Sequence, residues 1–174
     1  MDANRGARLG LTIALALYGF RLALHPGGGS LMDSVDLPIH ETGHLVFAPF
    51  GEFIQFLGGT LFQLIMPSLF AGYFLRRKDR HAASCVVWWL GQNCWNISVY
   101  VRDARAQELP LVGGGEHDWA YMLGRFGWLP YDQSIGHAFW LVGLLLYVLA
   151  ISGGLVALVS SPGVTQEPVE LAAD

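Results

Sequence analysis

Charge is scarce in this sequence: 14% of its 174 residues are Asp, Glu, Lys or Arg, where a soluble domain carries roughly a quarter. Lys and Arg number 10 against 14 acidic residues, and no basic run is interleaved with aromatics. The electrostatic footprint of a nucleic-acid-binding protein is therefore missing. Cysteine is nearly missing too. Cys85 and Cys94 fall in one apolar stretch, where their spacing puts them on opposite helix faces, about 13.5 Å apart along the axis and beyond disulfide reach. Neither belongs to a C-x-x-C metal motif. The length suits one domain of several helices and leaves no room for a separate soluble catalytic domain.

What is present is apolar length. Hydrophobic residues make up 53% of the chain, and the mean hydropathy is +0.41. Four stretches are long enough, or nearly so, to cross a bilayer core: Leu9 to Leu24, Phe53 to Leu75, Ala82 to Val101 and Ala138 to Val159. The first reads as an uncleaved anchor, because no small-x-small cleavage site follows its apolar core. The expected fold is an all-α integral membrane bundle of four transmembrane helices, with residues 1–160 as a single polytopic domain in the lipid bilayer. Residues 161–174, with two prolines and three acids, are expected to form a disordered tail.

Short basic segments orient such a bundle. Arg5 and Arg8 precede the first span, and Arg76, Arg77, Lys78 and Arg80 separate the second from the third, which puts both segments and both termini in the cytoplasm. Residues 26–51 and 102–136 then lie outside. Trp88, Trp89, Trp95, Trp119, Trp128 and Trp140 mostly fall near span ends, as an aromatic belt would.

Between the first two spans the sequence reads His40-Glu41-Thr42-Gly43-His44, an H-E-x-x-H pattern. On a helix the two histidines project from one face one turn apart and can share a Zn²⁺, while Glu41 reaches a water at the metal as general base. The spacing predicts a short helix from about Asp36 to Phe47, and Pro49 prevents its simple continuation into the next span. That helix either dips into the membrane or lies at its interface.

Catalytic zinc takes three protein ligands and keeps one position open, so a third ligand must come from elsewhere. His117 is the first choice. It follows the glycines of Gly113-Gly114-Gly115, and Asp118 can orient it by a hydrogen bond or exchange roles with it. Asp118 has an alternative use as cap of a helix beginning near Trp119. Asp103 is the rival ligand. Asn93, Asn96, Tyr100 and Asp103 recur on one helix face, and polar groups within a span face a bundle interior or a wet cavity. Asn93, Asn96 and Tyr100 are accordingly candidate substrate-binding residues, or else helix-to-helix hydrogen-bonding groups. Glu52, Gln55, Gly59 and Gln63 form a weaker stripe on the second span, in which Gly59 reads as a close-packing residue. His137 is a reserve ligand.

The run His40-Glu41-Thr42-Gly43-His44, with Gly before the second His and apolar sequence around it from Leu37 to Ala48, resembles the site-2 type intramembrane zinc metalloproteases. The resemblance implies zinc on His40 and His44, Glu41 as activator of water, and an Asp on a later transmembrane helix to complete the site. The family's Asp-Gly pair has no counterpart here, since Asp103 is followed by Ala104. The family's metal helix is normally a full span, whereas this one meets Pro49 early.

The expected activity is that of a membrane-embedded zinc metallopeptidase cutting membrane or membrane-proximal peptides, with the metal site toward the outer face. The same metal and base also suit a hydrolase of a lipid amide or ester, and without turnover the motif would leave a metal-binding membrane protein. Glu41 distinguishes these readings, because only a hydrolase needs it.

Overall fold

The computed structural model describes residues 3–111 and 115–160. Gly113, Gly114 and the expected tail lie outside the described residues. Among the described residues the chain is helical and has no strand: α1 Ala3–Leu24, α2 Asp33–Phe47, α3 Glu52–Arg76, α4 Arg80–Arg102, α5 Asp118–Arg125 and α6 Asp132–Ser160. The four expected apolar stretches correspond to α1, α3, α4 and α6. The metal-motif helix begins three residues earlier than expected, at Asp33, with Pro38 accommodated inside it.

Helix α4 is the hub, packed against α1, α3 and α6. It buries Trp88, Trp95, Ile97 and Val101 together with the polar Gln92, Asn93 and Ser98. Residues 4–24, 52–76 and 129–160 form three helices long and apolar enough to cross a membrane, and α1 and α6 expose Leu17, Phe20, Leu145, Leu149 and Val159. Helix α4 is not among those three, and the reason is its place. A helix ringed by other helices can carry amides because they bond to its neighbours.

Four of the six tryptophans tie helices together, Trp140 Nε1 by donating to the Ala23 carbonyl of α1 at 2.9 Å. Trp88 Nε1 donates to the Leu15 carbonyl of α1, Trp95 Nε1 to Trp140 O of α6, and Trp89 Nε1 to Asp36 Oδ1 of α2, at 2.9, 3.2 and 2.9 Å. Trp88 and Trp95 are buried, which satisfies the indole N–H while the ring fills the core. Where α4 crosses α6, Gly91 and Gly143 let the backbones approach. A Cβ on Gly91 would meet the Gly143 carbonyl at 3.0 Å.

Two local devices then build the site. After α2 a single 3₁₀ turn, Ala48–Phe50, and Gly51 at φ 96° reverse the chain, so that α3 runs back antiparallel along α2. Only a residue without a Cβ takes that backbone angle easily. Helix α5 is short but strongly one-sided: Trp119, Met122 and Leu123 pack with Ile97, Val101 and Ala104 at the end of α4. Arg105 locks the segment after α4 to the start of α6 through a two-pronged contact with Asp132, Nε to Oδ2 at 2.8 Å and Nη2 to Oδ1 at 2.7 Å.

Candidate metal centre

The H-E-x-x-H helix meets the N-terminus of α5. His40 Nε2 lies 2.9 Å and His44 Nε2 3.3 Å from the same oxygen, Asp118 Oδ2. The three ligand atoms fall within 4.8 Å of one another, the one such group of His, Cys, Asp or Glu found among the described residues. Tetrahedral zinc with bonds of about 2.0–2.1 Å separates its ligand atoms by about 3.3 Å, so the donor set fits that cation with small adjustments.

The far nitrogens of both rings are held. His40 Nδ1 donates to Gln63 Oε1 at 2.8 Å, and His44 Nδ1 donates to the Gln55 backbone carbonyl at 2.8 Å. Protons on Nδ1 leave each Nε2 lone pair for a metal, the arrangement that orients histidine ligands generally. Both acceptors come from α3, which can approach because glycines line its contact with α2. A Cβ on Gly43 would strike the Gly58 carbonyl, and Gly59 faces the His40 ring. The close-packing reading of Gly59 thus gains a purpose: it makes the space that the His40 ring occupies.

Of the candidate third ligands, it is Asp118 whose carboxylate the fold brings to His40 and His44. His117 is the N-cap of α5, its Nδ1 accepting from Ala120 N at 3.3 Å, and its buried Nε2 sits 3.4 Å from Asp103 Oδ2 rather than at the metal group. His117 is therefore corrected from ligand to cap. Asp103 is also diverted, since its carboxylate accepts the backbone N–H groups of Glu108 and Leu109 at 3.0 and 3.1 Å and so shapes the turn after α4. His137 is exposed and, among the described residues, bonds within its own helix, to Gln133 O at 3.1 Å.

The electrostatics follow from that grouping. Hydrogen bonding to Asp118 holds the His44 imidazole above its ordinary titration range, although burial opposes it. Burial pushes the Asp118 carboxyl up, but the bonds from His40 and His44 together outweigh this and keep it below the usual carboxylate range. Burial drives His117 the other way, toward its neutral form, as a cap that accepts through Nδ1 requires. A cation entering between His40, His44 and Asp118 displaces protons.

Glu41 lies at the junction of two clefts of about 320 and 330 Å³ that share His40, Glu41, Tyr100 and Leu111. One is polar, with Glu52, Gln55 and Glu116 in its wall; the other is largely apolar, with Leu37, Val99, Leu109 and Pro110. The Glu41 carboxylate makes no hydrogen bond among the described residues, so it is available at the junction. Tyr100 stacks on His117 with ring centres 4.2 Å apart, and its hydroxyl accepts from Asp118 N at 3.3 Å.

The other two substrate-binding candidates are differently occupied. Asn93 is buried and lines neither cleft; its Oδ1 accepts from Gln63 Nε2 at 3.2 Å and its Nδ2 donates to Trp89 O at 3.1 Å. It is corrected to a helix-to-helix bonding residue. Asn96 borders the apolar cleft, but both ends of its amide are engaged, with Gln63 and Asp33. Gln63 is the residue that the sequence most underrated. Its one signal was membership of the weak polar stripe on α3.

Comparison of the chain with protein-family models, with curated proteins and with solved structures found no match.

Proposed function

We propose that this chain is a membrane-embedded zinc metallopeptidase, akin in its catalytic helix to the site-2 type intramembrane metalloproteases. The observation that supports this best is the convergence of His40, His44 and Asp118 beside a Glu41 carboxylate that is not tied down. Two imidazoles and one carboxylate form a donor set of catalytic zinc enzymes, and the soft thiolates that mark structural zinc are absent from the group.

When bound, zinc supplies a Lewis acid that polarises a carbonyl and brings the pKa of a bound water to about 7. The chain's own residues do the rest. Glu41 takes a proton from the attacking water and delivers it to the departing amine. Tyr100, in the wall of both clefts, donates to the carbonyl oxygen as negative charge develops there. The substrate lies across the junction with apolar residues beside Leu37, Val99 and Leu109 and its polar side toward Glu52 and Glu116. That division suits a peptide at a membrane boundary.

Helices α1, α3, α4 and α6 cross the bilayer in this reading, with α4 shielded by the other three. The basic residues Arg5, Arg8 and Arg76 to Arg80 then hold both termini in the cytoplasm. The metal group, at the α2–α3 and α4–α5 ends, faces outward.

The test is removal and return of the metal. Detergent-purified protein should contain about one zinc per chain and cleave fluorogenic peptides carrying apolar residues. Chelation should abolish cleavage, and zinc should restore it. Protein that neither retains nor rebinds zinc would overturn the reading.

A further inference from the structure

The two histidine ligands are oriented by unlike partners. His44 Nδ1 faces a backbone carbonyl, Gln55 O, which can only accept. His40 Nδ1 faces a side-chain amide, Gln63, which presents an acceptor in one orientation and a donor when turned by 180°. In the turned state the amide NH₂ would demand a lone pair on Nδ1. The proton of a neutral His40 would then sit on Nε2, where the metal must bind.

The surroundings forbid that turn. Gln63 Nε2 donates to Asn93 Oδ1 at 3.2 Å and to Asn96 Oδ1 at 3.1 Å, so both of its N–H groups have acceptors on α4. Each asparagine could turn as well, but each is fixed from behind. Asn93 Nδ2 donates to the Trp89 backbone carbonyl at 3.1 Å, and Asn96 Nδ2 donates to the Asp33 carboxylate at 3.1 Å. A backbone carbonyl and a carboxylate are acceptors without donors, so they set the direction of the entire chain of amides. Gln63 and Asn93 are buried, so a turned Gln63 amide would leave its N–H groups and the asparagine oxygens without these partners.

We infer that Asn93 and Asn96 are positioning residues for the metal. They act through Gln63, whose amide they hold with Oε1 toward His40, and so they fix the His40 tautomer that leaves Nε2 free. This rests on the metal reading above and gives the polar stripe of α4 a role other than substrate binding.

Zinc affinity, measured by competition with a chromophoric chelator in detergent, tests it without reference to turnover. Gln63→Leu should weaken zinc about 10- to 100-fold, the usual cost of losing a partner behind a metal-bound histidine. Asn93→Leu should weaken it in the same direction but less, because Gln63 then keeps only the Asn96 acceptor to hold its amide. Gln63→Glu, measured at a pH where its carboxylate is ionised, presents acceptors and no donor, so in that background Asn93→Leu should leave zinc affinity unchanged or raise it. A merely structural Asn93 would lower affinity equally in both backgrounds, and that result overturns the inference. Should Gln63→Glu not yield folded protein, Gln63→Leu with Asn93→Leu replaces it: the double variant should bind no more weakly than Gln63→Leu alone, and additive losses would contradict the orienting role. The two proposals fail differently. Wild type without zinc affinity refutes the metal reading, whereas tight zinc in wild type and in Gln63→Leu alike refutes this one.

Discussion

The imidazole of His40 lies on the bare backbone of Gly59, where a Cβ would stand 2.5 Å from Nε2. The ligand and the glycine belong to different helices, so the metal group depends on how closely α2 and α3 can pack. Gly59→Ala should displace the ring and weaken zinc binding, with an overpacking cost of about 1–3 kcal/mol in stability. Gly72 on the same helix meets nothing within 4 Å, and Gly72→Ala should leave zinc binding unchanged. Zinc titration and thermal unfolding of the two variants side by side separate the ligand's space from helix propensity.

Adjacent residues at the start of α5 should respond in opposite ways. Asp118→Ala leaves two imidazoles alone and should lower zinc affinity by more than the roughly 10- to 100-fold expected of an outer-shell partner. His117→Ala should keep zinc affinity close to that of wild type while costing about 0.5–2 kcal/mol of stability through loss of a helix cap. Isothermal titration and denaturation of both proteins check the pair. Loss of zinc on His117→Ala with retention on Asp118→Ala would reverse the assignment.

The H-E-x-x-H helix was legible because its ligands are four residues apart and helix geometry alone brings them together. The third member of the group, Asp118, is 78 residues from His40, and no local rule reaches that far. Sequence narrowed it to His117, Asp118 and Asp103 but could not choose. Successive residues at a helix start point about 100° apart, and which one meets α2 depends on the docking of Trp119, Met122 and Leu123 against α4. The same limit applies to Asn93 and Asn96. Their shared face was readable from spacing, yet whether they met a substrate or Gln63 depended on how α3 lay. Three of the four expected spans were readable from composition, whereas the amides of α4 make it less apolar and leave it outside the helices long and apolar enough to cross a membrane.

Membrane orientation makes a separate prediction from Arg5, Arg8 and the Arg76 to Arg80 segment. In a background lacking Cys85 and Cys94, single cysteines at Gly28 and Gly115 should react with an impermeant thiol reagent in intact cells, and one at Asp79 should not. Labelling at Asp79 alone would invert the bundle and put the metal group on the cytoplasmic side.

The central claim is that Glu41 works on a metal held by its neighbours, and one paired measurement reaches it most directly. Zinc content and peptide hydrolysis are determined on the same preparations of wild type and Glu41→Gln. Glu41→Gln removes the base without touching His40, His44 or Asp118, so it should retain about one zinc per chain and lose on the order of 10²- to 10⁴-fold in turnover. Equal turnover by the two proteins at equal zinc content would contradict the account.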